Sequence, residues 1–312
     1  MTDTVLPGFL DAHVHLSLVD PEALPAGGIA RVLDLGGWPP HPGAAPHADA
    51  APGVPAVAAE EFGVDVAFAG QFLTCPAGYP GRQEWAPAGS VYEVSTVTDA
   101  VAGVDAQCRA GASVIKVTLN SEAGPVLSTD LLGAIVTRAH ECTMPVVAHV
   151  EGVGQALRAF EAGVDVLAHT PFSERIVDDL IDAMAARMTW ISTLDIHGWG
   201  QYGDDFARAS DNLRRFHAHG GRVLYGTDLG NGPLPVGINR REVEALLAVG
   251  MSPSEVLGAL TARGPAAATT TARPAPARVT LIPGEAPSDP AGFADWLCTA
   301  RAVSRTDLKE RE

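Results

Sequence analysis

Positions 144–170 read MPVVAHVEGVGQALRAFEAGVDVLAHT, and the alternation within this stretch decides the architecture. Two short apolar runs, 145–149 and 165–169, each end on a histidine, and between them 152–162 carries apolar residues at the three- and four-residue steps of an amphipathic helix. Gly163 follows the last periodic residue, where a helix end can use a left-handed conformation. A strand, a crossover helix and a second strand make one parallel unit. His149 and His169 therefore stand at equivalent C-terminal ends of neighbouring strands, 20 positions apart.

Outward from this unit the pattern repeats. Runs at 6–12, 30–35, 64–69, 113–119, 189–194 and 222–227 bring the expected strands to eight, and helical spacing at 99–110, 129–141, 174–186, 206–219, 242–249 and 253–261 fills the intervals. Eight strands alternating with helices predict an α/β fold, a (β/α)8 TIM barrel over residues 1–263. Two connections, 36–60 and 70–98, are rich in Pro and Gly and poor in periodicity, and loops of that length are usually functional or disordered. The low-complexity connector PAAATTTARPAPA follows, then ARVTLIPGE and a helical segment at 291–301, so 264–312 is expected as a short C-terminal extension.

Composition removes several classes of function. Lys plus Arg total 21 against 37 Asp plus Glu, a formal charge of −16 that repels nucleic acid and anionic lipid. With 46% hydrophobic residues the chain can fill a core, which excludes wholesale disorder. The N-terminus, MTDTVLPGFLDAHVHL, lacks the basic start and apolar core of a signal peptide, and no apolar run reaches the ~18 residues of a membrane span. Cys75, Cys108, Cys142 and Cys298 form no CxxC pair, which predicts reduced thiols and a cytoplasmic setting. The expected partner is a small-molecule substrate, with neither nucleic acid nor membrane; homo-oligomerisation stays open.

The polar residues at strand ends carry the chemistry. In Asp11-Ala-His13-Val-His15, period-two alternation puts Asp11, His13 and His15 on one face, and two imidazoles so spaced can chelate one ion. In 113–119 the alternation puts Lys116 on one face with Val114 and Thr118, inside an otherwise apolar strand. A buried lysine there is either salt-bridged to Asp11 or Glu151, or a substrate-binding cation, or a neutral amine that captures carbon dioxide as a carbamate. RVLYGTD brings Asp228 out at the end of its strand, as a ligand or as a helix cap. Each histidine alone also fits a hydrogen-bonded structural role. Together, four histidines, a carboxylate and a convertible lysine are too many for one tetrahedral zinc and suit two adjacent divalent ions.

The motifs LPGFLDAHVH, IKV, AHVEG, LAHT and YGTD, in that order, resemble the amidohydrolase superfamily of metal-dependent hydrolases, and are most similar to its branch with a strand-four lysine, near prolidases and imidazolonepropionases. The resemblance implies His13, His15 and Asp228 on a more buried ion, His149 and His169 on a more exposed one, and carbamylated Lys116 as a bridge. Zinc is the first expectation, with manganese or iron as alternatives. It further implies that a metal-bridging hydroxide attacks a carbonyl and that catalytic Asp228 carries the proton to the leaving group.

The reaction so implied is hydrolysis of a C–N bond in a small amide or cyclic amide, dipeptide-like, lactam-like or hydantoin-like. Lactone or ester cleavage, lyase or isomerase chemistry on the same ions, and a catalytically idle binding protein are the alternatives. Substrate contacts are expected from Tyr79, Arg82 and Trp85 in one loop and His197, Trp199 and Tyr202 in another, with Arg82 gripping a carboxylate; ordinary loop packing is the competing reading. The chain begins at the first barrel strand, so the N-terminal half of the superfamily's small β-sandwich is expected to be absent. ARVTLIPGE would then pair with the barrel rim, a neighbouring subunit or nothing.

Overall fold

The structure, a computed structural model, describes residues 3–37, 62–265 and 278–309. The connection at 36–60 lies, beyond Gly37, outside the described residues, as does most of the Ala/Thr/Pro connector.

Strand β1 (Thr4–Pro7) stops at Gly8, and β2 (Phe9–Val14) continues, so the expected 6–12 strand is two elements with different partners. A Cβ at Gly8 would come 2.7 Å from the Ala30 Cβ, a close approach that only glycine allows. After β2 come β3 (Ile29–Asp34), β4 (Asp65–Phe68), β5 (Phe72–Thr74), β6 (Val91–Glu93), β7 (Ile115–Asn120), β8 (Val146–Glu151), β9 (Val166–Leu167), β10 (Thr189–Ile191) and β11 (Arg222–Leu224). All pair in parallel, in two sheets ordered β2-β3-β4 and β11-β10-β9-β8-β7-β5-β6.

The eight-strand expectation differs from this in two respects. Strands β5 and β6 fall inside the 70–98 connection, and a closed ladder is not formed among the described residues. The two sheets meet through single contacts instead. Ser113 N donates to Phe68 O at 2.8 Å between β4 and the start of β7. Ala12 N donates to Tyr225 O at 2.9 Å and His15 N to Leu229 O at 2.8 Å, between β2 and the exit of β11.

Helices α1 (Val97–Arg109), α2 (Thr129–Glu141), α3 (Gln155–Glu161), α4 (Asp178–Ala185), α5 (Asp204–Ala218), α6 (Arg240–Ala248) and α7 (Pro253–Thr261) follow the expected segments within a few residues. Their starts are written in the sequence: Thr96 with Asp99 and Ser252 with Glu255 form reciprocal capping boxes. Gly111, Gly163 and Gly220, read as helix stops, have φ of 83°, 83° and 79°.

Two apolar layers result. Leu10, Ala12, Leu33, Val114, Val147, Val166, Ile191 and Leu224, drawn from strands of both sheets, form one buried interior cluster. A larger cluster lies between strands and helices, where Trp190 of β10 stacks on Phe216 of α5 at 3.9 Å. Cys108 and Cys142, distant in sequence, are neighbours across the α1–α2 contact, and all four cysteines are free.

The extension packs on this chain's own N-terminus. Strand β12 (Arg278–Ile282) pairs antiparallel with β1, from Thr4↔Ile282 to Pro7↔Val279, and β13 (Arg301–Ser304) pairs with β12. Helix α8 (Pro290–Cys298) buries Phe293 and Leu297, and its Asp295 accepts from Arg240 Nε of α6 at 2.7 Å. A short α9 (Arg305–Lys309) ends the described chain. Among the described residues, no helix is long and apolar enough to cross a membrane.

Candidate metal centre

The site begins with an irregularity in β2. Its register against β3 shifts between Phe9 and Leu10 and again between Asp11 and Val14. Leu10 and Ala12 face the interior, so regular alternation would turn His13 away with Asp11; the second shift brings His13 into the cavity instead. The expected common face of Asp11, His13 and His15 is therefore broken. Asp11 is fully buried and accepts from Thr227 Oγ1 at 2.6 Å, Thr227 N at 3.0 Å and His13 N at 3.1 Å, tying β2 to the residue before Asp228. Burial raises its carboxyl to about 7 against these three hydrogen bonds.

Gly226 makes the approach of the two segments possible: a Cβ there would stand 2.3 Å from Ile191 Cγ2 and 3.3 Å from His13 Cβ. Asp228 follows with φ of 58°, a left-handed backbone uncommon for an aspartate and one that marks a constrained site. Asn231 Nδ2 donates to Asp228 Oδ2 at 2.8 Å, which leaves Oδ1 for the cavity.

The protons on the imidazoles follow from their second contacts. His13 Nδ1 lies 2.9 Å from Ala168 O and His15 Nδ1 2.8 Å from Gly36 O; a carbonyl only accepts, so each Nδ1 carries the hydrogen and donates. In the neutral rings Nε2 is then a bare lone pair. Both Nε2 atoms point at Asp228 Oδ1, each 3.1 Å away. Donor atoms of His13, His15 and Asp228 all lie within 4.8 Å of one another, and all three residues are buried. Burial holds His13 well below the usual imidazole range, so His13 Nε2 and Asp228 Oδ1 meet as two acceptors with no hydrogen between them. Burial alone would push Asp228 up, but the imidazole of His15, through hydrogen bonding and charge, holds the carboxyl well below the usual carboxylate range. His15 is raised, Asp228 and Asp34 outweighing burial. Orphaned lone pairs converging on one point fit a cation.

Three more expected residues line the same cavity: Lys116 from β7, His149 from β8 and His169 after β9. The His13 and His169 rings are 4.6 Å apart and those of His149 and His169 5.0 Å. Lys116 is 1% exposed, and burial lowers its amine to about 7 although the charges of Asp228 and Asp34 oppose the shift. His149 Nε2 meets Glu151 Oε2 at 3.2 Å, and a carboxylate only accepts, so the bare nitrogen of His149 is Nδ1; His169 Nδ1 meets the Thr193 hydroxyl at 2.9 Å, which orients the ring.

The sequence matches the profile of the Amidohydrolase family over residues 4–271. The chain belongs to that family. As an amidohydrolase it is a metal-dependent hydrolase, and its buried His-x-His pair with Asp228 fits the metal site. No curated protein matches it in sequence. Similar solved structures include a Xaa-Pro dipeptidase with bound methionine, at TM-score 0.68 and 17% identity over 94% of this chain and 84% of the other. They also include the A. niger ochratoxinase, TM-score 0.68 and 19% identity over 94% and 79%, and phenylurea hydrolase B, TM-score 0.64 and 16% identity over 99% and 87%. Similarity at these identities speaks for the fold, an α/β arrangement with a parallel sheet consistent with the family's barrel.

The expected substrate residues of this amidohydrolase are spread more widely. Tyr79 and Trp85 line the cavity, with Tyr79 stacked on His149 at 5.0 Å and its phenol pushed up by burial. Arg82 is exposed and outside the lining. His197 packs at a tilt against Phe172, ring centroids 4.3 Å apart, and burial lowers it to about 4. Tyr202 donates to Asp195 Oδ1 at 3.3 Å and stacks on Phe206, away from the lining, and Trp199 lies against Gly232. Sequence reasoning did not single out Thr193, Asn231, Asp34, Phe72 or Phe172. The spacing Asp228-x-x-Asn231, a side-chain pair across a tight turn, was the one local signal for any of them.

Proposed function

We propose that this amidohydrolase cleaves the C–N bond of a small amide or cyclic amide, dipeptide-like, lactam-like or hydantoin-like, with two divalent ions in the cavity. His13, His15 and Asp228 would hold one ion, His149 and His169 the other, and Lys116, as its carbamate, would bridge them; zinc is the first choice, with manganese or iron as alternatives. The observation that carries this reading is the pair of buried acceptors, His13 Nε2 and Asp228 Oδ1, 3.1 Å apart with no proton to share. The interior cluster drawn from both sheets supports taking the interrupted ring of strands as the (β/α)8 barrel, with 264–312 as its extension.

Bound divalent ions supply an activated water and a polarised carbonyl. The chain supplies the proton path. Asp228 stays ionised, and Asn231 fixes its Oδ2, so the carboxylate can take a proton from the attacking water and deliver it to the leaving nitrogen. Tyr79 keeps its phenolic hydrogen at neutral pH and can donate it to an oxygen that gains charge. Phe72 and Trp85 wall the cavity from bulk water, which strengthens both interactions.

Reaction in oxygen-18 water tests this. Hydrolysis places one label in the carboxyl product, and Asp228→Asn lowers turnover by about a thousandfold or more. Product free of label would assign the site to lyase or isomerase chemistry, an unaltered Asp228→Asn rate would remove Asp228 from the proton path, and absence of turnover in the metal-loaded parent would leave only a binding role.

A further inference from the structure

The cavity has a volume of about 320 Å³, and one of its walls is aromatic. Trp85 is the corner of that wall, with ring centroids 6.2 Å from Phe72, 6.0 Å from Tyr79 and 6.1 Å from His15. Phe172 and Ile196 add further apolar surface. A flat ring entering here exchanges water for aryl faces and edges, the geometry in which aromatic pairs attract.

The charged groups are distributed unevenly. Among the described residues that line the cavity, Lys116 is the one Lys or Arg, and it belongs to the donor cluster. The connection 38–61 contains neither residue type. Arg82, between Tyr79 and Trp85 in sequence, is exposed outside the lining. Glu151 is the acid of the lining outside the proposed ligands. Its Oε2 is fixed by Asn120 Nδ2 at 2.7 Å and His149 Nε2 at 3.2 Å, so the carboxylate cannot swing away without breaking both contacts. A substrate carboxylate directed at the aromatic wall would shed its hydration, find no guanidinium and face a fixed like charge.

We propose that the aromatic wall takes an uncharged, ring-sized apolar group of the substrate, and that Glu151 is a specificity-determining residue that rejects substrates carrying a free carboxylate at that end. The bond cleaved rests on the hydrolase reading; the preference in binding does not. Within the amide class this points to aryl or arylalkyl amides and capped peptides over free dipeptides.

N-Acetylphenethylamine and N-acetylphenylalanine form a matched test pair, differing only in the carboxylate beside the scissile amide. With zinc-loaded protein, the neutral member is expected to bind and to react at least tenfold better, measured by calorimetry and by kcat/KM. Glu151→Gln keeps an oxygen for Asn120 and His149 and removes the charge, and it should bring the ratio toward one at unchanged zinc content. Trp85→Ala should weaken the neutral ligand about tenfold, and Arg82→Ala should leave the ratio alone. If neither compound is hydrolysed but the neutral one binds more tightly, the hydrolase reading fails for this class and the binding preference stands. Equal or tighter binding of the carboxylate, binding of neither, or a preference that disappears in Arg82→Ala overturns the proposal.

Discussion

His13 donates through Nδ1 to the Ala168 carbonyl and His15 to the Gly36 carbonyl, so the backbone of two other strands' exits selects the tautomer in which Nε2 is bare. The His169 ring is oriented by a side chain instead. Thr193 holds its Nδ1 from a residue with φ of 41°, a backbone value that persists only where its surroundings fix it. Thr193→Val keeps the shape and removes the hydroxyl, and it is expected to weaken metal retention or activity by about 10- to 100-fold, read by dialysis against graded zinc buffers. Asn231→Ala frees Asp228 Oδ2 and is expected to lower kcat more than metal content, because it loosens the carboxylate proposed to receive and return a proton. Equal losses in both would assign Asn231 to metal binding alone.

At the scale of elements, the site depends on how closely β2 and the exit of β11 approach. Gly226→Ala would drive a methyl against Ile191 Cγ2 and is expected to cost about 1–3 kcal/mol in urea unfolding, with displacement of His13. Gly133→Ala is the contrast: that glycine lies within α2 with nothing within 4 Å of its Cβ position, and the change should stabilise by about 0.5–1 kcal/mol. These two outcomes separate a glycine required for contact from one that is merely tolerated.

The elements also show what was legible in the sequence. The strand–helix–strand rhythm placed all seven helices α1 to α7 to within two residues at one end or the other, and five of them at both, because each carries its own apolar face and often its own cap. His13, His15, His149, His169 and Asp228 were readable because strand ends recur at predictable steps, Lys116 because it interrupts an apolar run, and all six line one cavity. Strands β5 and β6 were not readable: at three residues each, FLT and VYE are too short for alternation to register, and they owe their existence to pairing with β7 and with each other. The turn of Asp11 away from the histidines was hidden for a related reason, since a bulge is a property of two strands and leaves no mark on one. Thr193 serves a histidine 24 residues away, and no local spacing announces such a contact.

The whole molecule carries a further buried acid whose titration should be visible in its stability. Glu242, in the first turn of α6, is fully buried and accepts from Asp195 N at 2.8 Å through Oε2. Burial raises its carboxyl from 4.5 to about 7, against hydrogen bonds from Ser192, Asp195 and Leu194. Between those two values the unfolded chain releases a proton that the folded chain keeps, so this group contributes a loss of stability that begins near pH 4.5, grows as pH rises and is complete above about 7. Glu242→Gln removes the titration. Its stability relative to the parent should therefore rise by up to about 3 kcal/mol between pH 4.5 and 7.5, measured by urea unfolding at each pH. A difference independent of pH would mean that Glu242 is ionised throughout.

The fold, the tautomers and the proton path all converge on a cation held by His13, His15 and Asp228. Elemental analysis of protein purified without chelator, alongside the His13→Ala/His15→Ala double variant, tests that directly. One to two equivalents of zinc, manganese or iron are expected per parent chain, with a clear deficit in a variant that still folds. A parent protein that holds no divalent ion, and takes none up from added salts, would contradict it.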